Sequence, residues 1–390
     1  MSSKRVPKPV RSHHLIALAL LLAFFAQCAW FVYSVPLTQP EADQIVRGVA
    51  LLRHISFQDE AAASPMVPLF SIAGVIYHLP QSPLLLDQFW LDQHRWFIRA
   101  PFLFAGLGLG FSLWFVARRL YGGAGGNVAL ALYAFSPGLV ACSSLAGPQI
   151  FAAWGSFGMI FTAIATAHTL YAPREVILWN WKRIALLGTA IALALGAQWT
   201  LACLLLPASV FMLWAVPHRR KAAMLILAAA VMVSLVLLDV FYLGDLRALA
   251  HGLAAGASLS FTPQLLAPGL LARIVLRFFL DSVPGAMLAS VVALVAWCCW
   301  RRTRFFGNTA PLIVFAMLLL VGIFFPENGV RTVLFASLPF LLEFVAGVFA
   351  DLIESKYQAP ALAVIFAIIA AQAAYSVASL IRMYSRLPGS

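Results

Sequence analysis

The sequence predicts an all-α polytopic membrane protein, and three observations predict it. Of its 390 residues, 63% are hydrophobic and only 10% are charged, whereas soluble chains run roughly 45–50% apolar and about 25% charged. The apolar residues gather into runs that reach the about 20 residues a helix needs to cross a bilayer. These runs are continuous rather than alternating, which argues against a β-barrel. A soluble fold of this length could not bury so much apolar side chain.

The first run, Leu15 to Tyr33, follows Lys4, Arg5, Lys8 and Arg11. It is longer than a signal-peptide core and ends in interface aromatics. It therefore reads as an uncleaved anchor, with residues 1–14 as a cytoplasmic tail. Ten further spans are expected near 97–117, 127–146, 149–171, 184–199, 200–216, 222–243, 284–300, 309–325, 331–351 and 359–381. The membrane domain thus covers 15–383, with 384–390 as a short tail. The division between 184–199 and 200–216 rests on Gln198, Trp199 and Thr200. Gly122-Gly123-Ala124-Gly125-Gly126 lacks the Lys-Ser/Thr ending of a phosphate-binding loop and reads as a tight turn.

Eleven crossings from a cytoplasmic N-terminus put 16 of the 26 basic residues on the cytoplasmic side. Arg118 and Arg119, Arg219 to Lys221, and Arg301 to Arg304 lie in those loops. Ten of the 14 acids fall on the opposite side or its border, and Glu343 lies within a span. The net charge of +12 is therefore explained by orientation, and nucleic acid is not an expected partner. Cys28, Cys142, Cys203, Cys298 and Cys299 sit in or beside apolar runs, without metal-ligand spacing.

Two non-cytoplasmic loops, 34–96 and 244–283, are long enough to hold a site. In the first, Thr38-Gln39-Pro40-Glu41 reads as a helix start. At 100° per residue, Asp43, Arg47 and His54 share one face, and Ile45, Val49 and Leu52 another, as in a helix lying on the membrane surface. Glu41 and Asp43 would then point about 160° apart. One of them should serve a site, or Glu41 sits just before the helix. The stretch from Ser64-Pro65 to Tyr77-His78 is too short to cross and reads as interfacial. His78 at its end is either an interface histidine or a ligand. Asp87 to Arg99 forms another segment before the second span. In the second loop, Arg273, Arg277 and Asp281 follow at i, i+4, i+8. They suit either snorkelling side chains or a lipid phosphate. Arg331, a cation at the outer start of a span, raises the same choice.

The order of these features resembles the GT-C class of integral-membrane glycosyltransferases. The likeness is greatest to bacterial relatives of protein O-mannosyltransferases and of the aminoarabinose transferase that modifies lipid A (glycosyltransferase families 39 and 83). The residues that carry it are Gln39-Pro40-Glu41-Ala42-Asp43, Ser64-Pro65-Met66-Val67-Pro68-Leu69, Arg99-Ala100-Pro101, Arg119-Leu120-Tyr121-Gly122 and Ala134-Phe135-Ser136-Pro137. They span 15 to about 170; beyond that, only topology matches. The chain departs from the pattern in three places. Pro40 stands where the family has the first acid of a pair. Pro148-Gln149-Ile150 stands where an acid opens the fourth span. No histidine precedes the proline pair near Ser64. The catalytic set is then either rearranged or lost.

The resemblance implies a GT-C-like bundle of about 11 transmembrane helices, with interfacial helices in the first outer loop. It implies transfer of a sugar from a polyprenyl phosphate to a lipid, glycan or protein acceptor. It also implies a bacterial inner membrane, a non-cytoplasmic active face in the cell envelope, and inversion at the anomeric carbon. Phosphate leaves without a general acid, so such a site needs a base for the acceptor hydroxyl and cations for the developing charge. Glu41 or Asp43 suits the base; Arg99, Arg273, Arg277 and Arg331 suit the phosphate. A divalent cation could bridge carboxylate and phosphate, although no ligand cluster requires one. The rival readings are a transporter or lipid flippase, and a catalytically degenerate GT-C-like protein. Mid-span charges are nearly absent and no two-fold echo appears in the hydropathy, which favours the transferase over the transporter.

Overall fold

The structure, a computed structural model, describes residues 10–53, 66–78, 88–170, 181–215, 219–244, 268–299, 309–324, 330–355 and 358–384. All regular elements among the described residues are helical. α1 (Val10–Ser34) is followed by α2 (Gln39–Leu52), α3 (Met66–Ala73) and a 3-10 turn (Ile76–His78). α4 (Gln88–Ala134) and α5 (Pro137–Ser144) lead into α6 (Gln149–Leu170), α7 (Trp181–Ala197), α8 (Trp199–Trp214) and α9 (Arg220–Phe241). Then come α10 (Pro268–Ser282), α11 (Pro284–Cys299), α12 (Ala310–Phe324), α13 (Val330–Ile353) and α14 (Gln358–Tyr384). Each apolar run of the sequence falls on helix. Six described helices are long and apolar enough to cross a bilayer, or up to seven if the pair α10 and α11, bent by 110°, counts as one span. His54, Ser64, Pro65, Asp87 and residues 245–267 of the second loop lie outside the described residues.

α13 is the axis of the bundle. It packs against α4, α6, α11, α12 and α14, and 94% of its most apolar 18-residue window is buried. The same measure is 28% for α1, α9 and α14, so these three present most of their surface to lipid. A helix apolar all round belongs in the interior, and among the described helices only α13 has neighbours enough to bury every side.

α4 differs from the sequence expectation. The sequence reading gives Asp87 to Arg99 as another segment leading to the start of the span at 97–117. Instead one helix runs from Gln88 through Pro101 to Tyr121. Gly122 (φ 83°, ψ −177°) then turns the chain, in a region that is nearly glycine-only. The second arm returns along the first: the Tyr133 hydroxyl donates to the Gly106 carbonyl at 2.7 Å. Gly126 permits the approach, because a Cβ there would press on Arg118 and the Trp114 carbonyl.

The span expected at 127–146 is likewise broken. The second arm stops at Ala134, and α5 begins at Pro137. Proline has no N–H to continue the ladder, which frees carbonyls inside the membrane, where they need protein partners. Side chains from distant helices provide them. Gln372 of α14 donates to the Leu132 carbonyl at 2.8 Å and to Ser136 Oγ at 2.9 Å. Gln27 of α1 donates to the Ala134 carbonyl at 2.9 Å, and Ser376 of α14 donates back to Gln27 at 2.7 Å. The break thereby fastens the first and last helices together.

On one face of the bundle, α2 lies on α3. Gly48 meets the Pro68 carbonyl and Ile72 so closely that a side chain would not fit. Ile45 and Val49 are buried while Asp43 is exposed, as the amphipathic period expects. Phe70 of α3 stacks on Phe151 of α6 (4.7 Å) and leans on Phe241 of α9 (5.7 Å). That seats the pair of surface helices on the bundle.

Nothing lies within 4 Å of the position a Cβ would take at Gly122, so a substitution there tests the backbone alone. Gly122→Ala is expected to cost about 1–3 kcal/mol. It should appear as a lower melting temperature in detergent, without loss of helical content.

Candidate functional site

The first residues of α2 are fixed by a capping box. Thr38 precedes the helix, Pro40 fits its first turn, and Glu41 turns back: the Thr38 N–H and hydroxyl both donate to Glu41 Oε2 at 2.9 Å. Glu41 is only 2% exposed. Its partner is Arg99 of α4, 58 residues along the chain and fully buried. Arg99 Nε donates to Oε1 at 2.9 Å and Nη2 to Oε2 at 2.7 Å, the bidentate fork of an arginine on a carboxylate. The remaining capacity is also engaged. Arg99 Nη1 donates to the Val35 carbonyl at 2.7 Å and Nη2 to the Pro36 carbonyl at 2.9 Å. The Ala146 N–H donates to Glu41 Oε1 at 2.9 Å.

Glu41 therefore accepts from five donors, which saturates the roughly four lone-pair sites of a carboxylate. Burial by itself would raise its pKa. The hydrogen bonds and positive charge of Arg99, with the N–H groups of Ala146 and Thr38, outweigh burial and hold it below the ordinary carboxylate value. The knot joins the end of α1, the start of α2, the first turns of α4 and the loop between α5 and α6.

Asp43, two residues on, is exposed, and Gln39 donates to it at 3.1 Å. The two acids thus diverge, one inward and one outward. Arg47, one turn further, is half-buried. Asp92 of α4 lies beside the knot, 3.5 Å from the Leu37 N–H. Gln149 opens α6 and curls over Gly147, next to the Ala146 amide that holds Glu41.

The other sequence candidates stand apart from the knot. Arg273 and Arg277 are exposed on α10, and Arg277 pairs with Asp281 at 3.9 Å. Arg331 is exposed in the first turn of α13. None of these three is among the partners of Glu41 or Arg99. His78 closes the 3-10 turn, and its side chain lies outside the described residues. Among the described residues, no group of three or more His, Cys, Asp or Glu is gathered to hold a metal ion. Glu41, saturated by N–H and O–H donors, has no lone pair left for a metal ion. Sequence reasoning missed the Ala146 contact and the role of Val35 and Pro36. The T-x-x-E signature at Thr38–Glu41 was the available signal that Glu41 turns back on its own helix start.

No protein-family model matches the sequence, and no curated protein does. The fold, however, is that of solved structures of the oligosaccharyltransferase of Archaeoglobus fulgidus. The form called apo aligns with a TM-score of 0.60 at 14% identity, covering 98% of this chain and 57% of that one. The archaeal oligosaccharyltransferase AglB in complex with an inhibitory peptide and a dolichol-phosphate gives 0.58 at 12%, covering 96% and 56%. The complex with zinc and sulfate gives 0.57 at 13%, covering 94% and 53%. The chain spans about half the length of the structures it matches. At these identities the likeness is one of fold: this is an all-α polytopic membrane protein with the GT-C fold.

Two expectations follow from the knot. Arg99→Met leaves a buried carboxylate unpaired and should destabilise by about 3–5 kcal/mol. The double variant Glu41→Leu/Arg99→Met should be the more stable of the two, which thermal unfolding of both would decide. The pH dependence has a definite sign. A depressed carboxylate stabilises fully above its unfolded value, near 4.3 for glutamate. That contribution is lost as pH falls through the folded value. Melting temperature should therefore drop on acidification below about pH 4.3, and the drop should be shallower in Glu41→Gln.

Proposed function

We propose that this protein is a membrane glycosyltransferase. It moves a sugar from a polyprenyl-phosphate donor to an acceptor hydroxyl at the non-cytoplasmic face of a bacterial inner membrane. The observation that carries the reading is an acidic surface helix, locked by a buried ion pair, immediately after the first crossing of a GT-C fold. Such a lock holds an exposed carboxylate at headgroup depth, where a lipid-borne sugar presents its phosphate. The neighbours solved in complex with a dolichol-phosphate and tethered with an acceptor peptide support a lipid-linked donor.

In this reading the roles divide between the two acids. Asp43 is the base that takes the proton of the acceptor hydroxyl as oxygen attacks the anomeric carbon. The bond from that carbon to the phosphate oxygen breaks, and the polyprenyl phosphate leaves as an anion. Glu41 and Arg99 are positioning residues, engaged with one another and with backbone. Arg331, Arg273 and Arg277 are the cations available to the departing phosphate, and at headgroup depth they act as charge-assisted donors. His78 remains a candidate on the same face.

A second reading has its own support. Pro40 stands where the family's first acid would be, Gln149 where another would be, and Glu41 has no lone pair to offer. A degenerate GT-C protein that binds the lipid without turning it over fits those three facts.

Asp43→Asn is expected to lower sugar transfer in membranes by about 10²–10⁴-fold with the melting temperature unchanged, because Asp43 is exposed. Glu41→Gln should lower activity only in step with the loss of folded protein. Full turnover by Asp43→Asn would remove the base from this residue. A wild-type chain that transfers no polyprenyl-linked sugar would favour the degenerate reading.

A further inference from the structure

A second feature lies at the lipid-facing seam between α1 and α14. A groove of about 250 Å³ is lined by Ala26, Gln27 and Trp30 of α1 and by Val377, Leu380 and Ile381 of α14. The one polar residue in it faces away: Gln27 donates to the Ala134 carbonyl and accepts from Ser376. The groove therefore offers hydrocarbon to whatever fills it. It sits within the membrane-crossing part of both helices, where only lipid chain is available.

The seam continues towards the membrane edge. Ala26, Trp30 and Tyr33 follow at i, i+4, i+7 and form one stripe of α1. The Trp30 and Tyr33 rings are 6.4 Å apart, both exposed, at the end of the helix. Over the Tyr33 ring, 5.6 Å from its centroid, stands the guanidinium of Arg95. Among the described residues no carboxylate lies within ion-pair distance of Arg95, and an aromatic face does not neutralise a cation. From Gln27 to Tyr33 is six residues, about 9 Å along the helix. That is the spacing between the upper part of an acyl chain and its headgroup. Aromatic residues at such a level belong to the membrane interface.

We propose that this seam binds one phosphate-bearing lipid from the leaflet on the Glu41 face. Its chain lies in the α1–α14 groove, and its phosphate meets Arg95 above Tyr33. The site uses none of the residues assigned to sugar transfer and does not rest on that reading. Bulk annular lipid would fill the groove without regard to headgroup; a cation at its mouth selects an anion. Because Gln27 and Ser376 also fasten the α4–α5 break, the lipid would cover the outside of the clasp that ties the first helix to the last.

The test is native mass spectrometry of the full chain released from nanodiscs of equal phosphatidylglycerol and phosphatidylcholine. The wild type is expected to retain one phosphatidylglycerol in preference. Arg95→Ala should reduce that preference by about fivefold, the worth of one basic residue at an anionic surface, and Arg95→Lys should largely keep it. Ala26→Trp, an exposed position whose bulk would fill the groove, should lose the bound lipid of either class. Equal retention of the two lipids by the wild type, or an unchanged preference in Arg95→Ala, would overturn the anionic site. Unchanged retention by Ala26→Trp would overturn the groove. Melting curves of each variant identify any that fail to fold, and Arg95→Lys then decides the headgroup question.

Discussion

One face of this molecule depends on one buried ion pair. Glu41 and Arg99 lie where α1 ends, the chain turns, and α2 begins. A turn there exposes backbone groups that neither lipid nor neighbouring helices would satisfy. The pair answers four of them together. Arg99 takes the Val35 and Pro36 carbonyls at the end of α1. Glu41 takes the Thr38 and Ala146 N–H groups at the start of α2 and before α6. A buried ion pair adds little net stability against an apolar substitute. Its value here is geometric: α2 has a single seating, and the loop before α6 is tied to it.

The same economy recurs at the α4–α5 break. Gln27, Gln372 and Ser376 are polar residues in apolar helices: Gln27 and Gln372 donate to backbone carbonyls at the break before Pro137, and Ser376 holds Gln27 in place. These three polar side chains thus accompany irregular backbone. Glu343 does not. It lies on the axial helix, fully buried, with neither carboxylate oxygen partnered among the described residues, and nothing in the surrounding packing accounts for it.

The helices were legible because each carries a long apolar run, although six or seven of them, not eleven, are long and apolar enough to cross among the described residues; the break at Gln198 was legible from Gln198-Trp199-Thr200. The continuity of α4 was not. Pro101 and the charges from Asp92 to Arg99 read as a boundary, yet the helix passes through them, because Arg99 and Asp92 find partners in the α1–α2 turn. The interruption at Ser136 was missed for the opposite reason. Its flanks are apolar, and hydropathy cannot see a lost N–H. At the site, helical period alone separated Glu41 from Asp43. What it could not give was Arg99 as the partner, because a contact 58 residues apart is set by packing of the whole bundle.

The divergence of the two acids has a chemical consequence. Residues two apart on a helix point about 160° away from one another, so a single pocket cannot use both. A carboxylate that holds five donors has a depressed proton affinity, and a base needs the reverse. The more firmly Glu41 is held, the less it can accept a proton, and the better it fixes the helix that carries Asp43. Pro40 fits the same division. It supplies the first-turn geometry that lets Glu41 reach back to Thr38. The outward side of α2 carries exposed Asp43, with Arg47 one turn below it, and the inward side of its first turn is taken up by architecture.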